Sequence, residues 1–187
     1  MGPKLESVPR TLTGMWGEFA VVLHLREAGY EVDWDGGMTA NHDLRAVAPG
    51  GAAMHFQIKT TTEDNGKIAA PKAGEIVKAW ARDLRDTGVV PVYVFVHFVG
   101  HASCTLDDGT KTLTVTMPDE YVITACAPEE LADLQAVRRT AYGQKRRQRD
   151  DRWGKAGDFL PETGLRYPVH STDFEPLEDV LSALGSK

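Results

Sequence analysis

Asp43, Gln57 and Lys59 are the residues whose types and spacing point to chemistry. They lie in two alternating runs, His42-Asp43-Leu44-Arg45-Ala46-Val47 and His55-Phe56-Gln57-Ile58-Lys59-Thr60, separated by the Pro49-Gly50-Gly51 punctuator. That pattern predicts a β-hairpin, and a turn centred on Gly50 sets Asp43 opposite Gln57, with Lys59 following on the same face. In this register Leu44 pairs with Phe56 and Ala46 with Met54, so the other face is apolar and can pack on a core. A carboxylate, an amide oxygen and an ammonium on one sheet surface can hold a divalent cation and stabilise an anion, which is the equipment of phosphate chemistry.

The surrounding pattern supplies the elements that must position this hairpin. From Leu12 to Ala28 the apolar residues Leu12, Met15, Trp16, Phe19, Val22 and Leu23 recur at helical spacing, and Gly29 is a natural stop. Tyr30 to Trp34 predicts a short strand, and Thr60 to Pro71 a polar loop beside the end of the hairpin. Glu75 to Arg85 predicts a helix with Ile76, Ala79, Trp80 and Leu84 as its buried stripe. Val89 to Val99 predicts a strand covered on both faces. A second hairpin is expected from Ala102 to Met117, turning at Asp107-Asp108-Gly109. Ala127-Pro128-Glu129-Glu130 opens a helix to about Tyr142, with proline in its first turn and acids near the positive end of the dipole. A short acidic helix from Phe174 to about Leu184 ends the chain. Helix, strand, hairpin, helix and long apolar strand in that order predict an α/β sandwich around a mixed central sheet. Its core spans residues 11 to 126, with an extension at 1 to 10 and a helical extension at 127 to 187 packed on the core.

The chain has 187 residues, 42% of them hydrophobic, enough for one domain with a substantial core. Its net charge of -6 argues against a surface that binds polyphosphate everywhere. Charge is unevenly placed, however: residues 138 to 155 hold eight basic residues against Asp150 and Asp151, a local +6, leaving the remainder near -12. The two cysteines, Cys104 and Cys126, stand in no Cys-x-x-Cys arrangement, which fits a reducing cytoplasm better than a disulfide framework or a zinc knuckle. The first residues lack the apolar stretch of a signal peptide, and the longest apolar run is too short to span a bilayer, so no membrane association is expected.

Gly17-Glu18-Phe19-Ala20 in the first helix, the Asp43 strand and the Gln57-Ile58-Lys59-Thr60 strand together resemble the PD-(D/E)XK nuclease superfamily, in its Gln-x-Lys form. With its upstream Gly-Glu helix, the pattern is similar to that of a bacterial and phage domain of unknown function. The resemblance covers roughly residues 11 to 100, and the order and spacing of the motifs carry it. It implies a restriction-endonuclease-like α/β fold, a mixed central β-sheet flanked by helices. It also implies a magnesium- or manganese-dependent endonuclease acting on DNA, in which Glu18, Asp43, Gln57 and Lys59 are catalytic. By the same resemblance Glu18, Asp43, Gln57 and the main-chain carbonyl of Ile58 bind the metal, while Lys59 assists the attacking water. Gln57 leaves two carboxylates instead of three, so metal affinity should be weaker.

Each residue also has a plainer role open to it. Asp43 follows Asn41-His42 and could cap a turn, Gln57 and Lys59 could line the solvated face of any strand, and Glu18 could form an internal ion pair. His42 is expected to be a satisfied buried histidine, and His97-x-x-x-His101 at a strand end does not bring two imidazoles to one zinc. Lys145, Arg146, Arg147, Arg149 and Arg152, interleaved with Tyr142 and Trp153, supply charges for phosphates and ring faces for bases; a solvated helix end is the alternative. Three functions follow: a metal-dependent DNA endonuclease, a nuclease-fold protein that binds nucleic acid or a protein partner without cutting, and a structural module. A homodimer is compatible with each.

Overall fold

The computed structural model describes residues 4–5, 8, 10–34, 42–62, 66–68, 74–107, 109–138 and 169–185. The chain opens with β1 (Lys4–Leu5), α1 (Arg10–Glu27) and β2 (Glu31–Asp33), then forms β3 (Leu44–Val47), β4 (Ala53–Thr61) and β5 (Lys67–Ile68). Next come α2 (Gly74–Arg85), β6 (Val90–Phe98), β7 (Ser103–Asp107), β8 (Thr112–Thr116) and β9 (Tyr121–Cys126). A helix over 128–138 is α3. The chain ends with β10 (Val169–His170), a 3-10 turn (Ser171–Asp173), β11 (Glu175–Pro176) and α4 (Leu177–Gly185).

Six strands make a mixed central sheet in the order β11-β9-β6-β4-β3-β2. β2, β3 and β4 form an antiparallel meander, whereas β6 runs parallel to β4. A parallel neighbour needs a crossover, and α2 supplies it. β6 is buried from Pro91 to Phe98 because helices cover both faces of the sheet. On one face Leu44, Ala46, Met54, Phe56, Ile58, Val92, Val94 and Val96 pack with Ala20, Val21, Val22 and Leu25 of α1 and with Leu177 and Leu181 of α4. On the other, Tyr93 and Phe95 pack with Val77 of α2, Leu131 of α3, Ile68 and Val169. This is the sandwich about a mixed sheet that the element order predicts. Among the described residues, no helix is long and apolar enough to cross a membrane.

The hairpin register is the expected one, Leu44 opposite Phe56 and Ala46 opposite Met54. The turn closes through Gly51 N–H to Ala48 O at 2.8 Å and Ala48 N–H to Ala52 O at 2.9 Å, and Gly51 adopts φ 87°, a conformation that favours glycine. β7 and β8 form the second hairpin, to which β1 adds a third strand.

Several expectations are corrected. α1 turns Met15, Trp16, Phe19 and Leu23 to solvent and buries Gly17, Ala20, Val21, Val22 and Leu25. Its small residues lie against the sheet, so the helix approaches more closely than a stripe of large residues allows. In α2, Val77 and Ala81 are buried and Ile76 is exposed. The expected loop after Thr60 contains β5, which pairs with β10 about a hundred residues later. β9, adjacent to β6 in the sheet, was not anticipated. The end of α3 beyond residue 138 and the basic stretch from 139 to 155, with Lys145, Arg146, Arg147, Arg149 and Arg152, lie outside the described residues.

Candidate active site

Alternation along β4 sends Phe56 and Ile58 into the α1 face and leaves Gln57 and Lys59 on the opposite face. Asp43 stands just ahead of β3, fixed by its N–H bond to Phe56 O at 3.0 Å. Its carboxylate is the hub of the group. Oδ2 accepts the Gln57 side-chain amide and, at 2.6 Å, the Ile58 N–H. Lys59 Nζ lies 3.5 Å from the same oxygen and donates to Ile58 O at 2.9 Å. The Asp43 and Lys59 side chains are 21% and 32% exposed, so a solute can reach the pair. Gln57, by contrast, is buried.

Tyr93 pairs with Gln57 across the β4–β6 ladder and is fully buried. Burial, reinforced by the nearby Asp43 carboxylate, raises its phenol above the usual range, so it remains protonated. Behind it, an aromatic series runs through Trp80 (5.3 Å, edge-on to Tyr93), Phe95 (6.4 Å from Tyr93) and Phe174 (4.5 Å from Phe95). That series makes a stiff, dry wall to the hairpin face.

Glu18 arrives from α1. Gly17 lies so close to β4 that a Cβ built on it would stand 1.8 Å from Thr60 Oγ1. Gly17 therefore seats the helix on the residue that follows Lys59. Glu18 Oε2 accepts the Trp34 indole N–H at 2.8 Å, and the Trp34 ring packs 6.0 Å from Phe19. Asp43, Gln57, Ile58 and Lys59 thus form one hydrogen-bonded group, while Glu18 Oε2 meets Trp34.

Next to Asp43 lies a pair not foreseen as such. The His42 and His55 rings stand 4.3 Å apart, and Arg45 Nε donates to His42 Nε2 at 2.7 Å, which requires that nitrogen to be unprotonated. His42 is buried and satisfied, as expected, but against a second histidine. Burial first, then the crowding of His55 by His42 and Arg45, both unfavourable to a second positive charge, pulls His55 down to about 4. Strand alternation could have placed His55 beside Gln57; nothing in the sequence indicates the Trp34–Glu18 bond. His97 is buried with Nδ1 3.3 Å from Ser171 Oγ.

The oxygens of this group are of the kind that hard divalent cations take, namely carboxylate, amide carbonyl and main-chain carbonyl. Among the described residues, no three His, Cys, Asp or Glu side chains gather as a metal cluster. A cation on the hairpin would therefore draw on amide and main-chain oxygens beside the Asp43 carboxylate. Compared with family models and with curated proteins, the chain matches none.

Proposed function

We propose that this protein is a metal-dependent endonuclease of the PD-(D/E)XK type, with a restriction-endonuclease-like sheet, hydrolysing DNA phosphodiester bonds in the cytoplasm. The observation that carries the reading is the gathering of the Asp43 carboxylate, the Gln57 amide, the Ile58 carbonyl and the Lys59 ammonium on one partly exposed sheet face. The mixed sheet between two helical layers supports it, as does the close seating of the Gly17-Glu18 helix on β4. Asp43, Glu18, Ile58 O and, once its amide turns from Asp43, Gln57 Oε1 would hold magnesium or manganese. Bound there, the ion would supply positive charge against a phosphate oxygen and acidify a neighbouring water.

The protein's own groups do the rest. Asp43 is oriented by two donors from β4, so its carboxylate is in place before any ligand arrives, and preorganised charge needs no rearrangement at the moment of reaction. Lys59 stands on a flexible stem at the rim, where its ammonium can pair with a phosphate oxygen and stabilise the negative charge that grows there during attack. Tyr93 and its aromatic neighbours exclude water from beneath the site. The basic residues Lys145, Arg146, Arg147, Arg149 and Arg152 would add sequence-independent grip on the DNA backbone.

Incubation with supercoiled plasmid in Mn²⁺ or Mg²⁺ tests the reading. Nicking or linearisation is expected from the wild-type protein and not from Lys59→Ala or Asp43→Ala. Cleavage unchanged in both variants would assign the activity elsewhere. One observation favours a second reading, a nuclease-fold protein that binds nucleic acid without cutting: the Asp43 carboxylate accepts from Gln57 and Ile58 and pairs with Lys59, all groups of the protein itself. Salt-sensitive DNA binding without any metal uptake at millimolar concentration would select it.

A further inference from the structure

Two of the oxygens assigned above to a cation already face one. The Lys59 ammonium lies 3.5 Å from Asp43 Oδ2 and donates to Ile58 O at 2.9 Å, so it bridges the carboxylate and the main-chain carbonyl. The remaining approaches to Asp43 Oδ2 are taken by the Ile58 N–H at 2.6 Å and by the Gln57 amide nitrogen. With its nitrogen on Asp43, Gln57 does not offer its carbonyl oxygen to the same point. A donor hydrogen and a metal ion compete for the same lone pairs, and an ammonium beside a divalent cation repels it. A cation can settle between Asp43 Oδ2 and Ile58 O, the two atoms the ammonium bridges, only as Lys59 withdraws.

Withdrawal is mechanically easy. The Lys59 side chain is about one-third exposed and sits on four rotatable carbons. The obstacle is electrostatic, because an ammonium that leaves Asp43 gives up its counter-charge. A phosphodiester oxygen is a replacement of the right sign, and Lys59 stands at the rim where one would arrive.

We propose that Lys59 makes divalent-cation binding conditional on an anion: the site takes a cation and a phosphodiester together, and holds the bare cation weakly. This rests on the reading of the hairpin as a cation site. The ammonium is then both the lock on the cation site and the partner of the substrate, and metal and phosphate each raise the affinity of the other, as linkage requires.

Calorimetric titration of the full-length protein with Ca²⁺, with and without saturating thymidylyl-thymidine, tests this. In the absence of dinucleotide, Lys59→Met and Lys59→Ala are expected to bind Ca²⁺ about tenfold more tightly than wild type. The dinucleotide should tighten Ca²⁺ binding by about fivefold or more in wild type and by less than about twofold in both variants. If both Lys59 variants bind Ca²⁺ no more tightly than wild type while Asp43→Asn abolishes binding, the conditional mechanism is overturned and the cation site stands. If wild type and the Lys59 variants all fail to bind Ca²⁺, or Asp43→Asn binds as wild type does, the cation site itself is refuted and the proposal falls with it. Circular dichroism of each variant separates these outcomes from loss of fold.

Discussion

Gly17→Ala puts one methyl group between α1 and β4, and the sign of its effect separates two accounts of this glycine. Helix propensity alone predicts a gain of about 0.8–1 kcal/mol, since glycine is the poorer helix former. Packing predicts the reverse. The new Cβ would lie 1.8 Å from Thr60 Oγ1, 2.8 Å from Thr60 Cβ and 2.9 Å from Thr60 Cγ2. Rotation about χ1 can move the hydroxyl away, but Cβ is fixed to the strand backbone, so helix and sheet must separate. Overpacking of this kind costs about 1–3 kcal/mol, and the upper end applies where backbone must move. Set against the propensity gain, the expected net loss is about 2 kcal/mol, or a urea midpoint lowered by about 1 M for a chain of this size. Gly14, one turn earlier, has nothing within 4 Å of its added Cβ. Gly14→Ala should therefore stabilise by about 0.5–1 kcal/mol. A double-mutant cycle with Thr60→Gly, which removes all three contacting atoms, should show a coupling above about 1 kcal/mol. Equal stabilisation by Gly17→Ala and Gly14→Ala would refute the argument that this glycine lets α1 seat closely on β4.

Other outcomes follow from the same contacts. His55, held near 4 in the fold against about 6.5 in the open chain, takes up its proton mainly on unfolding. Stability should therefore be complete above about pH 6.5 and fall as pH drops toward 4, a slope that His55→Gln should flatten in urea titrations across this window. Phe95, fully buried and stacked 4.5 Å from Phe174 at an interplanar angle of 8°, should cost about 3–5 kcal/mol on replacement by alanine. Arg85 grips Glu129 through two nitrogens, yet both side chains are more than 40% exposed, so Arg85→Ala should cost less than about 1 kcal/mol and less still in high salt.

The hairpin was legible because alternation and a Pro-Gly-Gly turn determine its register locally: Leu44 and Ala46 could face the core only in one pairing. β6 was legible because its apolar run is long. α1 was recognisable as a helix but not in its orientation, since it carries apolar residues around much of its circumference. Met15, Trp16, Phe19 and Leu23 carry the helical spacing, whereas Gly17 and Ala20 meet the sheet. Choosing between them needs the strand beneath, whose Thr60 leaves room only for glycine. The β5–β10 pair and the Glu18–Trp34 bond join residues whose local sequence carries no mark of the partner, and β9 lacks a strand's alternation, with Tyr121 and Val122 both exposed and the four residues after them buried. At the candidate site, the residue types were readable from the strands, but the direction of each hydrogen bond was not. That Lys59 bridges Asp43 and Ile58 emerges only in three dimensions.

The central claim is that the Asp43 hairpin holds a divalent cation with which DNA is cut. Anomalous diffraction from crystals equilibrated with Mn²⁺ and a short DNA duplex tests it most directly. The account predicts a manganese peak bonded to an Asp43 carboxylate oxygen and to the Gln57 or Ile58 oxygen, with Lys59 moved onto a phosphate. A map with no peak at Asp43, and the Lys59 bridge intact beside bound DNA, would contradict it.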